Sequence, residues 1–128
     1  MSRIVLDASA LLALLNNEPG SEKLTPGLLS EAASSTVNLA EVHSKLISKG
    51  GQPDEAWEDT LSAVGEAVPF TMEHARIAGG LVERTRPLGL SLGDRACLAL
   101  GLSLKAPVYT ADRSWKRLKI GVPIHVIR

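Results

Sequence analysis

Short apolar runs alternate with stretches of strong helix formers along this 128-residue chain, and at four of the changeovers stands an acid. Arg3-Ile-Val-Leu6 is aliphatic and β-branched, whereas Ala8 to Leu15 is almost all Ala and Leu, so a strand feeds a helix with Asp7 between them. Repetition of that unit implies crossover connections, hence a mostly parallel sheet with helices on both faces. The loops leaving the C-terminal strand ends of such a sheet gather in one crevice. Asp7, Glu41, Asp94 and Asp112 are therefore expected to converge although they are far apart in sequence.

Periodicity and punctuation place the elements. Gly20 to Ala33 reads as helical from Ser21-Glu22, kinked or restarted at Pro26. Ser35-Thr36-Val37 reads as a strand. Asn38-Leu-Ala-Glu41 then has capping-box spacing, and Leu39, Val42 and Leu46 recur at helical intervals until Gly50-Gly51. Pro53 opens an amphipathic helix carrying Trp57, Leu61 and Val64, and Ala67-Val-Pro-Phe70 reads as a minor strand. Thr71 opens a helix with Ala75, Ala78, Leu81 and Val82, ended by Pro87 and Gly89. Ser91-Leu-Gly-Asp94 is a second capping box, followed by a buried face of Leu92, Ala96, Ala99 and Leu100. Ala106 to Thr110 is a strand, Asp112 to Leu118 a short helix, and Val122 to Ile127 the last strand. No linker, repeat or low-complexity segment divides the chain, so one domain over residues 1–128 is expected.

With 45% hydrophobic residues the chain has enough apolar side chain for a single core. Its lone cysteine, Cys97, excludes an internal disulfide and is read as core, so a reducing, cytoplasmic setting is expected. Ala8 to Leu15 is too short to span a bilayer and lacks a basic leader, so neither signal peptide nor membrane segment is expected. Fourteen basic and fourteen acidic residues cancel, which argues against a bulk nucleic-acid binder but permits a local basic rim. Few aromatic side chains argue against a base-stacking platform, and Trp57 and Trp115 are read as packing or interface residues. His43, His74 and His125 lie in different elements and are assigned structural roles.

Each acid has the same ordinary explanation: Asp7 and Asp112 as helix N-caps, Glu41 and Asp94 as third members of capping boxes. Ser, Thr and Asn cap about as well as Asp, so nothing in capping requires a carboxylate at all four turns. Convergent carboxylates repel unless a cation joins them, and an all-oxygen set selects Mg²⁺ or Mn²⁺ over zinc. Without the ion, like-charge repulsion is expected to hold a proton on one carboxyl above its ordinary range. Ser9 and Thr110, each two residues from an acid, are placed to orient a carboxylate or a water at the ion, or else to make local turn bonds. Arg113, Lys116 and Arg95 are candidate phosphate contacts; salt bridging to a neighbouring acid is the structural alternative for Arg95. The run Arg113, Lys116, Arg117 and Lys119 otherwise reads as a solvated helix face.

Residues Ile4 to Leu15, Val37-Asn-Leu-Ala-Glu-Val42, Leu90-Ser-Leu-Gly-Asp-Arg-Ala-Cys-Leu-Ala-Leu100 and Val108-Tyr-Thr-Ala-Asp-Arg-Ser-Trp115 together resemble a PIN domain of the VapC toxin type, over essentially the full chain. The resemblance implies a three-layer α/β/α sandwich with strand order 3-2-1-4-5. It also implies a Mg²⁺- or Mn²⁺-dependent endoribonuclease in which Asp7, Glu41, Asp94 and Asp112 hold the metal. Ser9 and Thr110 would be the polar residues beside them. Arg113 and Ser114 stand where many members carry a further acid. Implied partners are an RNA substrate, a VapB-like antitoxin seated in a groove supplied by the Leu11–Leu15 and Trp57 helices, and a second copy in a homodimer. The competing readings are a receiver-like Mg²⁺-binding domain and a PIN fold kept only for binding.

Overall fold

A computed structural model describes residues 3–128. Strand β1 (Ile4–Leu6) runs through the centre of a five-stranded parallel sheet, and all three of its residues are buried. Successive strand side chains point to opposite faces, and β1 therefore feeds two cores. Ile4 and Leu6 join one with Leu11 and Leu12 of helix α1 (Ala8–Leu15) and Leu39 and Val42 of α3 (Thr36–Ser48). Val5 joins the other with Cys97, Leu98 and Leu100 of α7 (Leu92–Leu104), together with Leu81 and Trp115. An unbroken apolar run is what a strand covered on both faces requires, and the layers are helix, sheet, helix.

The strand order is β3-β2-β1-β4-β5, with β2 at Ala32–Ser35, β3 at Glu66–Val68, β4 at Val108–Thr110 and β5 at Ile124–Val126. Residues Val5 and Leu6 register with Val108 and Tyr109. This is the expected 3-2-1-4-5 order, and it differs from the 2-1-3-4-5 order of receiver domains, which removes that rival.

Three local expectations are corrected. The helix expected to reach Ala33 stops earlier: after a 3₁₀ turn at Ser21–Lys23, α2 (Pro26–Leu29) is capped by Thr25. Ala32-Ala-Ser-Ser35 is instead a buried strand between β1 and β3, because pairing on both edges overrides the strong helical preference of alanine. Residues Thr36 and Val37, expected in that strand, begin α3, whose N-cap is Ser35 through a 3.2 Å bond from the Val37 amide. Glu41 therefore lies in the second turn and caps nothing. Finally, α4 (Pro53–Ser62) buries Ala56 and Thr60 while Trp57 and Leu61 stay 39% and 45% exposed, and Leu92, also assigned to a core face, is 59% exposed.

Of the remaining helices, α5 (Met72–Gly80) packs on α7 on the Val5 side, and α6 (Val82–Thr85) packs on α5 and the Arg86–Leu88 turn that follows it. Helix α7 lies closest to the sheet, buried without interruption from Ala96 to Gly101. Gly101 explains how: a Cβ there would stand 2.5 Å from Val108 Cγ2, on a β-branched side chain fixed in a central strand. Among the described residues no helix is long and apolar enough to cross a membrane.

Gly101→Ala gains up to about 1 kcal/mol of helix propensity but incurs roughly 1–3 kcal/mol of overpacking. Urea unfolding should show net destabilisation, and the combination with Val108→Ala should be less destabilised than the sum of the two single changes.

Candidate active site

The strand order reverses direction between β1 and β4, which is where an open parallel sheet forms its crevice. Asp7 leaves β1 there in extended conformation and caps α1, its Oδ1 accepting the Ala10 amide at 2.8 Å. Its carboxylate is almost out of water, the residue being 3% exposed. Ser9 Oγ donates to both carboxylate oxygens (2.8 and 2.9 Å), and Thr110 Oγ1 donates to Oδ2 at 2.6 Å. A hydroxyl has one proton, so both residues direct theirs to Asp7 and use their lone pairs on the next turn. Ser9 Oγ accepts the Ala111 amide at 2.9 Å, and Thr110 Oγ1 accepts the Asp112 amide at 3.0 Å. Of the roles expected for Ser9 and Thr110, the geometry displays orientation of a carboxylate. The same two hydroxyls pin the β4 exit loop to β1.

Asp94 sits in the first turn of α7 in the expected capping box, Oδ2 accepting the Ser91 amide at 2.9 Å and its own amide donating to Ser91 Oγ at 3.1 Å. Asp112 caps the 3₁₀ turn Arg113–Arg117, its Oδ1 accepting the amide and hydroxyl of Ser114. Capping is thus real at Asp7, Asp94 and Asp112, and fails only at Glu41. Glu41 is held otherwise: buried Asn38 donates Nδ2 to Glu41 Oε1 at 2.8 Å and to the Gly93 carbonyl at 3.1 Å. Any Cβ at Gly93 would collide with that carboxylate, so the glycine lets Glu41 lie against the residue before Asp94.

Asn38 and Gly93 are the site residues that sequence reading passed over. The available signal was a glycine inside a first helical turn, where it costs helix stability and so implies a close approach.

Asp7, Asp94 and Glu41 all act on the Cys97 thiol, which is fully buried beneath them. Burial first, then these three charges, push that thiol up, so Cys97 is core and no nucleophile. Asp112 is exposed; its backbone amide donates to Thr110 while its carboxylate turns to Ser114, so the structure does not bring that carboxylate into the group. Among the described residues no three acidic, imidazole or thiol side chains are close enough together to hold a metal ion.

The Asp7 carboxyl is raised from 3.8 to about 6, and burial is the leading cause. Hydrogen bonds from Thr110, Ala10 and Ser9 oppose the rise, and Asp94 adds least to it. A retained proton was expected from like-charge repulsion; desolvation supplies most of it instead. The available donors are all hard oxygens. Glu41, Asp94 and Asp112 each keep one carboxylate oxygen with no protein donor among the described residues. Beside Glu41, the buried Asn38 Oδ1 also lacks a partner. Individually these oxygens are the donors that Mg²⁺ or Mn²⁺ prefers over the imidazole and thiolate typical of zinc, but among the described residues they are not drawn together into one coordination group.

Of the candidate phosphate contacts, Arg113 and Lys116 are exposed. Arg95 makes no salt bridge among the described residues; its Nη1 donates to the Ala78 carbonyl near the C-terminal end of α5, a favourable place for a cation. The histidines are separate and structural: His43 binds the Pro53 carbonyl and packs on Trp57, His74 is buried, and His125 stacks on Tyr109.

A sequence model of the PIN domain matches residues 4–121. No curated protein matches the chain by sequence. Solved structures of similar fold include VapBC from Salmonella typhimurium bound to DNA, with 18% identity, a TM-score of 0.77 and 100% of both chains covered. VapBC2 from Rickettsia felis, bound to a promoter DNA fragment, aligns at 20% identity and TM-score 0.72 over 94% of this chain and 96% of that one. VapC20 from Mycobacterium tuberculosis, a toxin that cleaves the sarcin-ricin loop, aligns at 17% identity and TM-score 0.72 over 94% and 98%.

A buried acid with a raised pKa stabilises the fold while protonated, and that contribution is lost as pH climbs from about 4 through about 6. The shift from 3.8 to about 6 corresponds to roughly 3 kcal/mol at about 1.4 kcal/mol per unit. Denaturant titrations without metal should therefore show Asp7→Asn overtaking the parent in stability across this window and holding a constant lead above it. Parallel curves for the two proteins would show that Asp7 keeps no proton.

Proposed function

The chain belongs to the PIN domain family, and from that premise we propose that it is a Mg²⁺- or Mn²⁺-dependent endoribonuclease, the toxin of a VapBC-type pair. The observation that carries the reading is the buried Asp7 carboxylate at the β1–β4 crevice, oriented by Ser9 and Thr110 and sharing its surroundings with Asp94 and Glu41. So much desolvated negative charge has no structural use that a serine cap would not serve as well.

In this reading Asp7, Glu41, Asp94 and Asp112 hold the ion. When bound, a divalent ion supplies Lewis acidity, lowering the pKa of an attacking water and offsetting charge on the phosphate. The protein's own contribution is to hold the carboxylates in place before substrate arrives. Ser9 and Thr110 fix both oxygens of Asp7, Asn38 fixes Glu41, and the Ser91 box fixes Asp94. With Asp7 titrating at about 6, its carboxyl is mostly ionised at neutral pH and ready to accept a cation. No side chain is required as nucleophile. Exposed Arg113 and Lys116, beside Asp112, supply phosphate contacts at the crevice rim.

The antitoxin proposal rests on similarity to the VapBC structures and on exposed Trp57 and Leu61 of α4 with Ile47 of α3, a face suited to an apolar peptide segment. The other expected wall of the groove falls away in part, since Leu11 and Leu12 of α1 are core. A homodimer and a cytoplasmic location complete the proposal. A PIN fold kept only for binding is the remaining alternative, and metal titration with an RNA cleavage assay decides between the two.

Asp7→Asn and Asp94→Asn should each lower Mg²⁺-dependent RNA cleavage by at least about 100-fold, the scale of losing charge stabilisation at the reacting phosphate. Mg²⁺ should raise the parent's melting temperature by several degrees and have little effect on Asp7→Asn. Wild-type cleavage by either variant would refute the site. Expressed without its antitoxin, the parent should arrest growth and the Asp94→Asn variant should not.

A further inference from the structure

On the Val5 side of the sheet, Arg84, Pro87, Leu88, Arg117, Leu118 and Lys119 enclose an open cavity of about 390 Å³. Its three cations are exposed, and none makes an ion pair or side-chain hydrogen bond to an acid among the described residues. The nearest acid in sequence, Glu83, is already paired with Arg86 at 3.3 Å. A second cavity of similar size, lined by Arg3, Glu31 and Lys105, mixes both signs, and its Arg3 is bridged to Glu66. Of these two cavities among the described residues, the first alone is lined by unopposed positive charge. In a chain of zero net charge this local concentration points to an anionic ligand.

Both walls of the cavity lead directly to acids of the crevice. The Arg86–Leu88 3₁₀ turn runs through Gly89 and Leu90 into Ser91 and Asp94. Arg117 ends the 3₁₀ turn that Asp112 caps, and at about 2 Å rise per residue it lies on the order of 10 Å from that acid. The lining is also chemically divided. Guanidinium and ammonium groups suit phosphate, while Pro87, Leu88 and Leu118 offer apolar surface for the face of a base or ribose. A nucleotide matches both halves, whereas an acidic peptide uses only the first.

We propose that this cavity binds one nucleotide of the RNA strand flanking the cleaved bond, its phosphate held by Arg84, Arg117 and Lys119 and its base or sugar lying on Pro87 and Leu88. The proposal rests on the endoribonuclease reading and extends it to a substrate subsite outside the acidic crevice. It accounts for how a neutral protein with an acidic centre retains a polyanion: the grip lies beside the centre.

The test is Arg84→Gln, Arg117→Gln and Lys119→Gln combined in the Asp7→Asn background, which is expected to bind RNA without cutting it. Binding of a short single-stranded RNA is followed by fluorescence anisotropy as KCl is varied. Each neutralised phosphate contributes about 0.7 to the slope of log K against log salt for single strands, so loss of this one phosphate site should reduce that slope by about 0.7 and weaken binding at least about 10-fold at low salt. A control replacing exposed Lys23, Lys45 and Lys49 by Gln removes the same charge elsewhere and should change the slope little. In the cleaving protein the triple change should raise KM and leave kcat near the parent's. An unchanged slope, an equal loss in the control, or loss of binding to an acidic peptide alone would each overturn the proposal. If the parent fails to cut RNA but its binding still falls with the triple change, the nuclease reading fails and the cavity assignment stands.

Discussion

A carboxylate held out of water at the end of the central strand is the constraint around which this molecule is arranged. Burial opposes its charge, and three donors are brought to it in compensation: one amide from the helix it starts and two hydroxyls from different elements. Those hydroxyls in turn receive the amides of Ala111 and Asp112, so orienting Asp7 and shaping the loop after β4 are one structural event. The strand pairing of β1 with β4 sets the spacing that makes this possible.

Around that centre the other acids are held by independent means. Asp94 depends on its helix start, Asp112 on the turn it caps, and Glu41 on an asparagine that also grips the helix carrying Asp94. Electrostatically the group is unequal. Asp7 carries most of the desolvation, while Asp112 is exposed to solvent. A divalent cation entering such a group would relieve the buried member most, and the binding free energy so released would partly offset what the empty fold bears in holding it ionised. Arg95 serves a helix end, and Arg84, Arg117 and Lys119, without an ion pair among the described residues, lie on the neighbouring surface.

Much of this was legible in the sequence because its signals are local. Ile4-Val-Leu6 could only be a doubly covered strand, Ser91 and Asp94 had the spacing of a box, and Asp7 and Asp112 had to leave adjacent strands once the alternation of elements was accepted. What was not legible depended on distant partners. Ala32 to Ser35 has no strand preference of its own, and only its two neighbours make it one. That misplacement carried over to Glu41, which looked like a cap because its helix seemed to start three residues late. Trp57 and Leu61 had core periodicity, yet α4 turns Ala56 and Thr60 inward instead. Like-charge repulsion looked sufficient to hold a proton, but depth proved the larger cause, and depth is a property of the fold alone.

Thr110 leaves little room for sequence variation. Its hydroxyl gives a proton to one partner and takes one from another, and the residue is fully enclosed. Valine matches its shape but would strand an acceptor on one side and a donor on the other; alanine would add a void; asparagine is too bulky for the space. Serine is the single replacement that preserves both bonds, so among descendants of this chain the position should drift between two amino acids only.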